Sequence, residues 1–301
     1  MMTHAIHTLD LHFQGETETI ATYLVQGTEG WVLVETGPGS TLLTLQAQLR
    51  QHGVQPADVQ HVIVTHIHFD HAGAAGWWAQ NGATIYVHYF GAAHLINPEK
   101  LIASATRIYG DQMERLWGQL LPAPAEKVVS LHDGDVIAVA GLTFTAVETP
   151  GHARHHHVIK LGNVAFTGDV AGMKLGSRPL LDIPAPPPEF DLEAWQASLD
   201  KLLGMGLERI YPTHFGAVEN VSEHLQAVKM LVYESAHFVQ QKMAEGVARD
   251  DLIAQYTVWN HGRAQAAGLS AESIRKYEIA NPLYMSVDGM MRYWRKRNSE
   301  Q

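Results

Sequence analysis

Residues 62–73, VIVTHIHFDHAG, carry a β-branched apolar run straight into three histidines and an aspartate within six positions: His66, His68, Asp70 and His71. The run reads as a buried strand, with ligand-grade side chains where it ends. On an extended chain, residues two apart point the same way, so His66 and His68 can converge on one ion. Asp70 and His71, past the strand end, can turn toward a neighbouring point. The spacing alone therefore allows two adjacent cation sites. One histidine at a strand end would mean little, and the nineteen histidines of the chain are no argument by number. Position carries the signal.

The chain has no cysteine, so a disulfide framework and thiolate ligation are both excluded, and any metal must be held by nitrogen and oxygen. With 301 residues, 46% of them hydrophobic, it can bury a sizeable core. A net charge of −10 offers no basic field to a phosphate backbone, so no nucleic-acid partner is expected. The first twenty residues lack a basic segment followed by an apolar one, and no window approaches 18 consecutive apolar residues. The expectation is a soluble cytoplasmic protein with no membrane partner.

HAIHTLDLHF, TIATYLVQG and GWVLVETG read as successive strands, followed by a helix over about 41–52 with Ser40 as N-cap and Gly53 as its stop. QHVIVTH and ATIYVH are further strands with a short helix after Gly73 between them, and residues 99–117 look helical. KVVSL, DVIAVA, LTFTAVET, HVIKLG and VAFTGD return to strand, with turns at Gly134, Gly141 and Gly162. RPLLDIPAPPPEF is read as a long loop, because Pro179, Pro184 and Pro186 to Pro188 break regular structure. Asp191 caps a helix with Leu192, Trp195, Leu199 and Leu202 on its buried face, and RIYPTH closes the region as a strand. Beyond about 218 the pattern is helical. The expected organisation is an α/β body over 1–217 with a helical C-terminal extension over 218–301.

Three later segments repeat one design of apolar strand, small or turn residue, then ligand. ETPGHARHHH presents His152, FTGD presents Asp169, and YPTHFG presents His214. TGD alone is a common turn; its recurrence in order with the others gives it weight. Together THIHFDH, TPGH, TGD and PTHFG resemble the metallo-β-lactamase-fold metallohydrolase superfamily, in the branch of glyoxalase II type thioesterases and metal-dependent lactonases, over about residues 20 to 217. That resemblance implies an αβ/βα four-layer sandwich. It also implies that His66, His68 and His152 hold one metal and Asp70, His71 and His214 a second, with Asp169 bridging both. Two divalent cations, zinc foremost with iron or manganese as substitutes, would share a water and supply hydroxide at neutral pH. Asp70 would both ligate and pass a proton.

Glu35 stands where many relatives carry Asp before Thr-Gly, and reads either as a carboxylate that orients a ligand histidine or as a strand-end residue near a turn. His156, four residues after His152, is weighed equally between lining the site and packing, while His155 and His157 are assigned to solvent or loop packing. Met173, Leu175, Leu180, Leu181 and Ile183 would form an apolar wall over the metals or anchor their loop. The C-terminal aromatics, Tyr233 among them, read as helix core.

The function implied is a binuclear metal-dependent hydrolase of a small ester, thioester or lactone. Cysteine-ligated β-lactamases are excluded, and the bridging-type Asp169 speaks against β-lactamases generally. Two alternatives stand beside this reading. One is a metal-retaining ligand-binding or effector protein without turnover; the other is a phosphodiesterase of the same superfamily. A small-molecule acyl substrate is the expected partner, and the surface permits a homodimer.

Overall fold

Alternate residues of the β-branched runs face opposite ways, and what covers each face sets the layers. The computed structural model describes residues 5–175 and 180–299. His4, at the start of the first expected strand, and Pro179, in the proline-rich loop, lie outside them. One sheet holds β1 (Ile6–Asp10), β2 (Ala21–Gln26), β3 (Trp31–Val34), β4 (Val59–Ile63), β5 (Thr84–His88) and β6 (Val128–Leu131) in that spatial order, antiparallel up to β3 and parallel from there. The second is built from β7 (Val136–Val139), β8 (Leu142–Glu148), β9 (His157–Leu161) and β10 (Val164–Gly168). A two-stranded ribbon, β11 (Met173–Lys174) with β12 (Leu181–Asp182), precedes β13 (Arg209–Pro212), which adds to the second sheet parallel to β10.

Period-two alternation sorts these strands into two faces each. Tyr23, Val25, Val32 and Val34 meet Phe144, Ile159 and Phe166 between the sheets. Leu24, Leu33 and Val62 point the other way, onto α1 (Leu42–Gln51), the short α2 (Phe69–Ala72), α3 (Ala75–Gln80) and α4 (Tyr89–Ile96). Behind these come α5 (Glu99–Tyr109) and α6 (Met113–Trp117). Val147, Val158 and Ala165 face outward from the second sheet onto α7 (Leu192–Leu203) and α8 (Val221–Ala244). The same apolar core continues into α9 (Arg249–Ala266) and α11 (Leu283–Ser299), with α10 (Ala271–Ala280) between them. The result is the four-layer αβ/βα sandwich, with helices in the C-terminal region. Among the described residues no helix is long and apolar enough to cross a membrane.

Several local expectations are corrected. Ser40 does not cap α1: it lies in a 3-10 turn over Gly39–Thr41, and its hydroxyl donates to the Leu116 carbonyl at 2.6 Å. The 99–117 helix is broken at Gly110, whose φ of +50° no helix accommodates. Within the proline-rich stretch, Leu181–Asp182 is a short strand rather than loop. Tyr233 is exposed, not core.

Trp195 joins helix to sheet. Its ring is fully buried, its indole N–H donates to the Val170 carbonyl at 2.8 Å, and it lies edge-on to His152. Trp195→Ala is expected to cost about 3–5 kcal/mol, as large aromatic truncations in cores do. Denaturant unfolding checks this; a loss under about 1 kcal/mol would show that α7 is not held by this ring.

Candidate metal centre

β4 of the first sheet and β8, β10 and β13 of the second all end at the same end of the sandwich, and each hands the chain to a site residue. β4 stops at Ile63, so His66 and His68 lie on the turn beyond it, and α2 then carries Asp70 and His71. Gly151, at φ +136°, lets the turn before His152 run against α7: a Cβ there would come within 2.3 Å of the Trp195 Cα. Gly168, at φ +50°, does the same before Asp169, where a Cβ would meet Thr65 Oγ1 at 2.5 Å and His156 Nε2 at 2.6 Å. The small residues of TPGH and TGD are there because backbone, ring and hydroxyl leave no room for a side chain.

All seven expected side chains are brought together, in two groups. His66, His68, His152 and Asp169 form one, and Asp70, His71 and His214 the other, each with its potential ligand atoms within 4.8 Å of one another. Asp169 stands between them. Its Oδ2 is 3.3 Å from His152 Nε2 and 4.0 Å from His66 Nε2, whereas its Oδ1 is 3.3 Å from His71 Nε2 and 3.6 Å from His214 Nε2. Asp70 Oδ2 lies 3.3 Å from His214 Nε2, and Asp70 is the more exposed of the two aspartates.

The outer ring nitrogens decide what the inner ones can do. His152 Nδ1 donates to the Pro184 carbonyl and His214 Nδ1 to the Thr19 carbonyl, both at 2.7 Å. A carbonyl only accepts, so each Nδ1 carries a proton, and whenever the ring is neutral its Nε2 offers a lone pair. Thr65 gives its hydroxyl proton to Glu35, so its oxygen accepts from His66 Nδ1 at 3.1 Å, and His66 Nε2 too is left as a lone pair. His66 Nε2 and His152 Nε2 then both face His68 Nδ1, at 3.0 and 2.9 Å, which can donate to only one of them. His71 Nε2 and Asp169 Oδ1 are buried and face each other at 3.3 Å, with no well-aligned hydrogen bond to either among the described residues. Converging lone pairs and orphaned polar atoms are costly without a shared positive charge, and a cation satisfies them together.

Electrostatics separates the two groups. Burial, reinforced by neighbouring rings, holds His66 well below the usual imidazole range and His68 at about 3, and burial lowers His152 as well. Burial pushes His71 and His214 the same way, but the carboxylates of Asp169 and Asp70 overcome it and raise both, His71 with added help from Glu35. Burial would likewise raise the two aspartates, yet the facing imidazoles keep Asp169 well below the carboxylate range and Asp70 at about 2. The facing carboxylates thus favour a proton on His71 and on His214, against their burial.

Glu35 lies behind His71, with Oε1 3.1 Å from His71 Nδ1. The same carboxylate accepts from the Thr65 backbone N–H and from the hydroxyls of Thr65 and Thr213, while its own backbone sits at φ +66°. His156 does not line the site: it is fully buried, with Nε2 accepting from the Asp169 backbone N–H at 3.3 Å and Nδ1 2.8 Å from Thr149 Oγ1. His155 packs on the loop through Glu189 at 3.2 Å. His157 is neither solvated nor in a loop: it is buried in β9 beside His88, 4.4 Å between ring centroids.

The apolar residues Met173, Leu175 and Leu180 pack with Ala264 and Tyr277 and so anchor their loop to the C-terminal helices rather than facing the metals. What the sequence reading missed is the threonine that precedes each histidine turn. Thr65 bonds His66, Thr213 bonds Glu35 behind His71, and Thr149 bonds His156 behind Asp169; the repeated T of THIH, TPGH and PTH was the available signal. It also missed the aromatic cluster of Phe69, Trp117, Tyr109 and Phe13 beside α2.

Residues 16–214 match the model of the metallo-beta-lactamase superfamily. A metallo-beta-lactamase fold-containing protein of Sulfurisphaera tokodaii is 27% identical over 56% of this chain and 66% of its own length. An Aspergillus fumigatus protein named atrochrysone carboxyl ACP thioesterase is 28% identical over 56% of this chain and 42% of its own. The chain thus spans about two thirds or less of these relatives. The crystal structure of a metallo-beta-lactamase family protein from Thermus thermophilus superposes with a TM-score of 0.68 at 21% identity, covering 97% of this chain and 94% of that one.

Cation binding is expected to depend on pH unequally in the two groups. Filling the Asp70, His71 and His214 group must displace the His71 proton, so affinity there should fall by up to about tenfold per unit as pH drops from about 8 to 6. The His66, His68 and His152 group, its rings already neutral, should stay nearly flat over that range. Calorimetric titration with Zn(II) in buffers of different ionisation enthalpy checks this; equal proton release at both steps would refute the assignment.

Proposed function

This chain belongs to the metallo-beta-lactamase superfamily, and from that premise we propose that it is a hydrolase of a small ester, thioester or lactone, working with two divalent cations. His66, His68 and His152 would hold one and Asp70, His71 and His214 the other, with Asp169 giving one oxygen to each. The placement of the two Asp169 oxygens, each against a different histidine group, carries this reading. The donor set of imidazoles and carboxylates favours zinc, with iron or manganese as substitutes. Bound as a pair, such cations lower the pKa of water and polarise a carbonyl.

The chain's own side chains supply the rest. Asp70 lies at the more open side of the site and within 3.3 Å of His214, where a carboxylate can accept a proton as the nucleophile forms and return it to the leaving group. Glu35 and the carbonyls of Pro184 and Thr19 fix the rings, so orientation is set before substrate arrives. The thioesterase named among the relatives favours the thioester within this substrate class.

Purified protein is expected to contain close to two metal ions per chain and to cleave at least one thioester, lactone or aryl ester. Asp169→Ala should lower metal content and turnover together, the latter by about 10²-fold or more. Metal-loaded protein inert across that panel, phosphodiesters included, would favour a binding protein without turnover. Cleavage of phosphodiesters alone would move the assignment to a phosphodiesterase.

A further inference from the structure

The backbone that orients His152 is itself held by the C-terminal helices. Pro184, whose carbonyl accepts from His152 Nδ1, has no N–H of its own, and both of its neighbours are tied to the junction of α10 and α11. Asn281 directs one amide N–H to Asp182 at 2.9 Å and the other to the Ile183 carbonyl at 3.0 Å. Ser286 Oγ accepts from the Ala185 N–H at 3.0 Å and lies 3.2 Å from the Ile183 carbonyl. Asn281 and Ser286 are both buried, so no water competes for these bonds. Next to them α11 touches the same segment through Gly289, where a Cβ would fall 1.9 Å from the Ala185 carbonyl oxygen.

We propose that Asn281 and Ser286 are positioning residues for His152, acting through the Ile183–Ala185 backbone, so that these two tail residues set the affinity of the His152 group far more than that of the His214 group. This rests on the reading that His152 holds a cation. The His214 ring, by contrast, takes its orientation from the Thr19 carbonyl in the loop between β1 and β2, and the His214 backbone carbonyl accepts from Lys174, beside the Leu175 that Tyr277 holds; neither bond involves Asn281 or Ser286. A displaced Pro184 carbonyl leaves the His152 Nδ1 proton without its acceptor and frees the ring to rotate or change tautomer. Losses of such supporting bonds lower metal affinity by about 10- to 100-fold.

The test compares Ser286→Ala, Asn281→Ala and Gly289→Ala with the wild type. Arg249→Ala serves as a control, since it breaks an exposed pairing with Asp288 inside the tail and touches none of these groups. Two readouts are taken on full-length protein: the His152 Nδ1–H resonance in ¹⁵N-histidine-labelled, metal-free samples, and Zn(II) affinity at each step of a titration. The wild type and Arg249→Ala should show a His152 Nδ1–H protected from exchange. The three variants should lose that protection and bind one of two Zn(II) ions at least about tenfold more weakly, the other within about twofold.

Variants with a lowered Tm but an unchanged His152 resonance and two unchanged affinities would overturn the proposal, leaving these residues with tail packing alone. Should Asn281→Ala or Gly289→Ala fail to fold, Ser286→Ala, which removes a single hydroxyl, decides. A wild type that binds no Zn(II) would overturn the proposed function and, with it, the affinity claim; the resonance would still report whether the tail orients His152.

Discussion

Asp169 sits almost fully buried with each carboxylate oxygen turned toward a different set of imidazoles, and the arrangement of this end of the sandwich follows from that demand. A buried carboxylate persists only where positive charge or donors surround it. Four strands therefore end together, and glycines stand where Asp169 and His152 must approach backbone or ring too closely for any other residue. Gly168 illustrates the constraint: its positive φ and the crowding by Thr65 and His156 leave no alternative, so the shape of the TGD turn is set by the charge it must deliver.

Around that centre the rings of His66, His71, His152 and His214 are each fixed by a bond on the far side, and the partners come from distant parts of the chain. Thr19, Glu35 and Pro184 lie on three different loops, yet each sets the proton on an imidazole so that the inner nitrogen is free to ligate. Glu35 also receives Thr65 and Thr213, binding the ends of β4 and β13 to one carboxylate. Loop, strand end and helical tail thus share one hydrogen-bonded frame. Loosening any part of it is felt at the centre, because the rings have no other partner to hold them.

How legible this was in the sequence differs by residue. The strands and α7 were readable because Val32 to Val34, Phe144 to Ala146 and Leu192 to Leu202 alternate or recur at the periods of their elements. The seven polar side chains that meet there were readable because His66, His68, Asp70 and His71 crowd the end of one apolar run, while His152, Asp169 and His214 each follow an apolar strand and a small or turn residue. The supporting partners were not. Backbone carbonyls such as those of Pro184 and Thr19 have no signature in side-chain type, and the loop residues Met173, Leu175 and Leu180 look the same whether they face a substrate or a helix. Ser40 was misplaced because the 3-10 turn before α1 occupies it with a long-range bond to Leu116, which local capping preference does not contain. The break at Gly110 was hidden by apolar residues that keep helical spacing on both sides of it.

The most direct measurement of the central claim is anomalous diffraction at the zinc edge from crystals of the zinc-loaded protein. Two peaks are expected, one on each side of Asp169, with a carboxylate oxygen at about 2.0–2.2 Å from each. A single peak, or two peaks with Asp169 turned away from either, would contradict it.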